Sequence, residues 1–149
     1  MSEGLTEITA AWQGEKSFIA RNAAGGTLQM GSLEGKPGIG PMQMLLVAIA
    51  GCSGDDILSI LQKKRTNLAD FQMRVSGKRA ADYPKIWTDI HISYFLWGNG
   101  IKSKDVEQAI DLSIKKYCSV GIMLGKSAEI TCEYQILKPG ETVKLKEEK

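Results

Sequence analysis

Residues 40–65 read GPMQMLLVAIAGCSGDDILSILQKKR, and the fold turns on this stretch. Pro41 suits the first turn of a helix, where its missing N–H would have had no intrahelical partner. No further proline interrupts the run to Lys64. Met42 to Ala50 is apolar on nearly every face, the pattern of a helix covered all round. From Asp55 onward the pattern turns amphipathic and ends on Lys63, Lys64 and Arg65, whose charges suit the negative end of a helix dipole. A single helix here is about 35 Å long at ~1.5 Å per residue, with Cys52 near its middle. Gly51 and Gly54 flank that cysteine. Each costs about 1 kcal/mol relative to alanine inside a helix. Small residues at such positions point to a close approach beside the thiol.

Working outward, the N-terminal side holds short strand patterns at Thr6–Ala10, Ser17–Ala20 and Thr27–Met30, separated by turns near Gly14 and Ala23–Gly26. Gly31 to Gly40, with Pro37, reads as a loop with special backbone needs. On the C-terminal side, residues 68–77 and 86–97 alternate as strands around a loop at Gly77–Pro84. Ser103 is placed to cap a helix, with Asp105 and Glu107 in its first turn. Val106, Ala109, Ile110, Ser113, Ile114 and Tyr117 then share one face, carrying the helix to Tyr117–Cys118. A short apolar piece, Val120–Leu124, precedes a last strand over Ile130–Leu137. Strands, a long helix, strands, a helix and a strand describe an α+β fold, here one domain over residues 1–149. A helix apolar all round needs more cover than one further helix and modest sheets supply, so a homodimer is expected.

Composition narrows the function. A net charge of +2, with cations scattered among acids, excludes a dedicated nucleic-acid surface. The start, MSEGLTEITAAW, lacks a basic n-region and an apolar core, and the longest apolar run is Met44–Ala50. The expectation is therefore a cytoplasmic protein with no membrane segment. Three cysteines in a reducing compartment do not make a disulfide framework. There is no C-x-x-C pair and a single histidine, His91, so no metal and no cofactor are expected.

A free cysteine is ordinarily a small buried hydrophobe. Cys132, in the alternating strand Ile130–Tyr134, reads that way. Context singles out the other two. Cys52 sits in Ala50-Gly51-Cys52-Ser53-Gly54-Asp55-Asp56, a patch of small residues, and Cys118 ends an amphipathic helix after Tyr117.

The segment from Gly40 to Arg65 resembles the central helix of the OsmC/Ohr family, in particular the branch with a small-residue-Cys-x-x-x-Asp pattern and a Lys-Lys-Arg helix end. Lys116-Tyr117-Cys118-Ser119-Val120 is similar to the family's second cysteine segment, and Arg79 to Ile92 is similar to its linking region. The resemblance implies an intertwined α+β homodimer, with the long central helix packed against antiparallel sheets and active sites at the interface. It implies a two-cysteine peroxidase, with Cys52 as the peroxidatic residue and Cys118 as the resolving one. Organic hydroperoxide is then the substrate, and an external dithiol the reductant. Two positions depart from the pattern. Family peroxidases carry a Glu near the start of the central helix, paired with an Arg; here those helix positions are Met42-Gln43. Before the loop the only cations are Lys16 and Arg21. A cation beside a cysteine favours thiolate, whereas Asp55 or Asp56 nearby opposes it. A non-catalytic redox-sensing or small-ligand-binding protein on the same scaffold is the alternative.

The remaining candidates read as structure. His91, between Ile90 and Ile92, is expected to face solvent or fill a core edge rather than pair with a thiol. Trp12, Trp87 and Trp97 are expected in the core or an interface. Tyr117 either packs or lines the thiol pocket.

Overall fold

The computed structural model describes residues 4–143. The chain falls into two compact units that meet at Leu45 and Leu46. In the first, β1 (Ile8–Gly14), β2 (Ser17–Asn22) and β3 (Thr27–Met30) form an antiparallel meander in the order β1-β2-β3. The register pairs Ala10 with Ala20 and Phe18 with Met30. This sheet leaves large apolar side chains outside, among them Ile8, Trp12 and Leu28. Trp12 is thus not a core residue in the isolated chain, whereas Trp87 and Trp97 of the second unit are buried.

The long helix α1 spans Pro41–Lys63, as the proline and the uninterrupted apolar run require. Gly40 accepts the first helical bond from Met44 N–H, and Gln43 Oε1 reaches back to Gly40 N–H at 2.9 Å. That is the returning half of a capping box. By length and composition α1 is apolar enough to cross a membrane. Yet Ile49, Ser53, Ile57 and Leu61 are buried within the chain, one stripe at helical spacing. The cover expected all round is absent from the single chain, since Leu45 and Val47 are exposed.

The second unit carries a sheet of order β4-β5-β6, from β4 (Leu68–Arg79), β5 (Trp87–Gly98) and β6 (Glu129–Leu137). The central β5 buries Ile90, Ile92, Tyr94 and Leu96, so it holds the core. β4 and β5 are antiparallel, but β6 runs parallel to β5, which corrects the expectation of purely antiparallel sheets. The physical reason is the connection. Parallel neighbours need a crossover of a dozen or more residues, and here α2 (Ser103–Leu112), a π-helical turn (Ser113–Tyr117) and α3 (Ser119–Leu124) supply it. Two boundaries differ from the sequence reading. Lys102, not Ser103, is the N-cap of α2, and it makes no side-chain cap bond. The helix expected to reach Cys118 gives way after Leu112 to the wider π turn.

α1 closes on the sheet at Gly54. A Cβ there would lie 2.6 Å from Met73 Cε of β4, so the glycine permits close packing of helix on strand. Gly51 faces open space, with nothing within 4 Å of where a Cβ would sit. Only one of the two mid-helix glycines is therefore explained by packing within the chain.

Candidate active site

Three elements converge at the middle of α1. Cys52 and Asp56 are one helical turn apart and share a face. Cys118 leaves the π turn in extended geometry and caps α3, its sulfur accepting a hydrogen bond from Gly121 N–H at 3.2 Å. The π turn places this residue. It closes with a bond from Cys118 N–H to Ser113 O at 2.7 Å, spanning five residues instead of four. Gly121 is required for the approach, because a Cβ there would press to 3.1 Å from Cys118 Sγ.

The ligand atoms of Cys52, Asp56 and Cys118 all lie within 4.8 Å of one another. The two sulfurs are therefore close neighbours, although 66 residues apart in sequence. Cys118 is fully buried and Cys52 only partly, so a small molecule meets Cys52 first. Burial pushes the Cys118 thiol up to about 11; the Gly121 N–H pulls it down, and Cys52 and Asp56 add to the rise. Desolvation and negative neighbours thus keep Cys118 protonated. Asp55, by contrast, is exposed.

A line of buried hydroxyls continues from the carboxylate. Ser113 Oγ donates to Asp56 Oδ2 at 2.9 Å and lies 3.3 Å from Ser53 Oγ. Ser53 Oγ bonds Tyr94 OH, and Tyr94 neighbours Cys132. Carboxylate oxygens only accept, so Ser113 is the donor to Asp56. Burial raises both the Tyr94 hydroxyl and the Cys132 thiol above their ordinary ranges, so both remain neutral donors. Among the described residues, no buried side-chain nitrogen or oxygen lacks a partner. Cys132, expected as plain core, is half-buried and lies beside this line.

The other candidates lie elsewhere. His91 bonds Thr131 Oγ1 at 2.7 Å and Glu133 Oε1 at 3.2 Å on neighbouring β6, and is partly exposed, away from the thiols. Tyr117 is about half exposed and lines a crevice of about 430 Å³ with Asp56, Ser59, Ile60, Lys63, Lys64 and Leu112. Arg21, in β2, and Lys16, in the β1–β2 turn, are exposed. Gln43, which follows Met42 at the start of α1, is engaged in capping that helix. Ser53, Tyr94 and Ser113 escaped the sequence reading, because a lone serine or tyrosine in a helix or strand carries no spacing signal. For Asp56 the signal was present in the four-residue step from Cys52.

A family model described as OsmC-like protein matches residues 33–133, which include all three cysteines and the whole of α1. Protein YhfA of Escherichia coli is 35% identical over 126 residues, covering 85% of this chain and 94% of YhfA. The chain belongs to the OsmC-like protein family. Its architecture agrees with solved OsmC-like folds. A crystal structure of a hypothetical protein from Aquifex aeolicus superposes with a TM-score of 0.77 at 35% identity, covering 89% of this chain and 97% of that one. A Legionella pneumophila structure described as an organic hydroperoxide resistance protein OsmC superposes with a TM-score of 0.61 at 14% identity, over 90% and 98% of the two chains. That likeness concerns the fold alone.

Proposed function

We propose that this OsmC-like protein is a two-cysteine thiol peroxidase that reduces organic hydroperoxides. The observation that carries the reading is the approach of Cys52 and Cys118, distant in sequence, with their sulfurs within 4.8 Å of each other. The Cys52 thiolate attacks the outer oxygen of ROOH. The O–O bond breaks, ROH leaves with a proton, and Cys52 becomes a sulfenic acid. Cys118 then attacks the Cys52 sulfur. Water departs with the hydroxyl and the Cys118 proton, and a disulfide remains. An external dithiol reduces it by exchange. Partial exposure of Cys52 and full burial of Cys118 support these roles in this order. Apolar residues on the same helix, among them Leu45 and Ile49, favour an alkyl substituent over hydrogen peroxide.

The working unit in this proposal is a homodimer of single domains in the cytoplasm. Leu45 and Val47 on α1, with Ile122 and Met123 on α3, are exposed apolar side chains that a second copy would cover. The open space at Gly51 supports the same reading.

The test is stoichiometric. Cumene hydroperoxide, added below one equivalent to the reduced protein, consumes two thiols per peroxide, and non-reducing mass spectrometry finds an intramolecular Cys52–Cys118 bond. Loss of thiols at the rate of free cysteine, or a bond to Cys132 instead, refutes the proposal. A second reading, a redox sensor or small-ligand binder without turnover, draws on Met42-Gln43, which stand where the family resemblance calls for a carboxylate; Gln43 is spent on capping. Disulfide formation without catalytic turnover under excess dithiol identifies that case.

A further inference from the structure

The same three side chains have a second chemistry that does not depend on peroxide. The sequence lacks a C-x-x-C pair and has one histidine, so local spacing gave no metal motif. The fold assembles the donors from two distant segments: two sulfurs and a carboxylate oxygen, mutually within 4.8 Å. Around Zn²⁺, with Zn–S at about 2.3 Å and Zn–O at about 2.1 Å, tetrahedral donors stand about 3.6–3.8 Å apart. A contraction of at most about 1.2 Å per pair therefore closes the cluster on an ion, a change within reach of side-chain torsions.

We infer that Cys52, Asp56 and Cys118 form a binding site for a thiophilic dication such as Zn²⁺, with one coordination position left open. Three further features support it. Asp56 is held through Oδ2 by Ser113, itself fixed in the buried hydroxyl line, which leaves Oδ1 to the ion. Metal-ligating carboxylates are commonly oriented by such an outer hydrogen bond. Cys52 is partly exposed and gives an ion its way in. Two thiolates select a soft or borderline ion over Mg²⁺ or Ca²⁺, which want oxygen donors. Binding links α1 to the start of α3 and withdraws both sulfurs from reaction, so metal occupancy and thiol oxidation exclude each other.

The experiment uses the reduced, chelator-stripped full chain. Zn²⁺ is titrated in competition with a chromophoric chelator, and Co²⁺ serves as the spectroscopic probe. The expected result is about one ion per chain and a sulfur-to-cobalt charge-transfer band. Cys52→Ser and Cys118→Ser each weaken binding at least ~100-fold, Asp56→Asn at least ~10-fold, and Ser113→Ala about 10-fold as an outer-shell change. Cys132→Ser leaves affinity unchanged. In the unmutated protein, where folding is not in question, Zn²⁺ slows iodoacetamide labelling of Cys52 and Cys118 but not of Cys132. Unchanged affinity in either ligand-cysteine variant or in Asp56→Asn overturns the site. So does Co²⁺ binding without the charge-transfer band, or metal protection of Cys132 alone. The outcome is separable from the peroxidase reading: a chain that forms the Cys52–Cys118 bond with hydroperoxide but binds no Zn²⁺ loses only the metal site.

Discussion

Ser113→Ala removes the hydroxyl on which the buried polar line turns. Two contacts disappear, the 2.9 Å bond to the Asp56 carboxylate and the 3.3 Å contact with Ser53. A hydrogen bond to a charged group contributes about 1.5–3 kcal/mol, and a long neutral one about 0.5 kcal/mol. Asp56 is only half-buried, so water replaces part of the first contribution. Ser53 retains Tyr94, which limits the second. The net loss is then about 1.5–2.5 kcal/mol, a fall of roughly 10- to 70-fold in the folded-to-unfolded ratio. With a urea slope of about 1.5–2.5 kcal/mol per molar, the midpoint drops by about 1 M. The assay is urea unfolding followed by tryptophan fluorescence, under reductant and at one fixed protein concentration, since subunit association would otherwise shift the midpoint. Ser59→Ala, an exposed change on the same helix, is the control and stays within about 0.5 kcal/mol. A midpoint shift for Ser113→Ala no larger than that of Ser59→Ala would refute the hydrogen-bonded line.

Other outcomes follow from the same geometry. Cys118, Cys132 and Tyr94 have folded pKa values above their unfolded ones, so the unfolded chain releases protons first. Stability from these groups is complete below about pH 9 and is lost as pH rises through 9 to 11 and beyond. Urea midpoints should be flat from about pH 7 to 8.5 and then fall, and Cys118→Ser should flatten part of that fall. A midpoint that rises above pH 9 contradicts the burial of these groups. Gly121→Ala drives a methyl to 3.1 Å from Cys118 Sγ, and overpacking of this kind costs about 1–3 kcal/mol. It should also slow closure of the Cys52–Cys118 bond by diamide, measured by quenched mass spectrometry, while Gly51→Ala leaves the free chain's closure rate unchanged. Val47→Lys places a charge on the exposed apolar face of α1 and should turn a dimer into a monomer in sedimentation velocity. An unaltered dimer would put the interface elsewhere.

Local pattern carried much of the fold. Pro41 and the uninterrupted apolar run specified α1 without reference to anything distant, because a helix closes its own hydrogen bonds. Alternation in Trp87–Gly98 marked a strand on the same footing, and the family resemblance rested on residues around Cys52 and Cys118. The parallel pairing of β6 with β5 was not legible in this way. Strand direction follows from the path of the crossover, not from the strand's own residues. Nor did spacing place the π turn, where one extra residue per turn swings Cys118 out of the helix to cap α3.

By itself, then, the chain of residues determined where the helices and strands form, which two thiols stand out, and that a carboxylate follows one of them by one turn. Only the tertiary structure decided that Cys118 meets Cys52 and Asp56, and that Ser113, Ser53 and Tyr94 continue from that cluster as one bonded line, with Cys132 beside Tyr94. The reason is that hydrogen bonds and thiol contacts act over a few ångströms. The separations they bridge, such as Ser53 to Ser113, are set by how the crossover packs on α1 and the sheet. Burial has the same origin: no neighbour in sequence raises the Cys118 thiol as removal from water does.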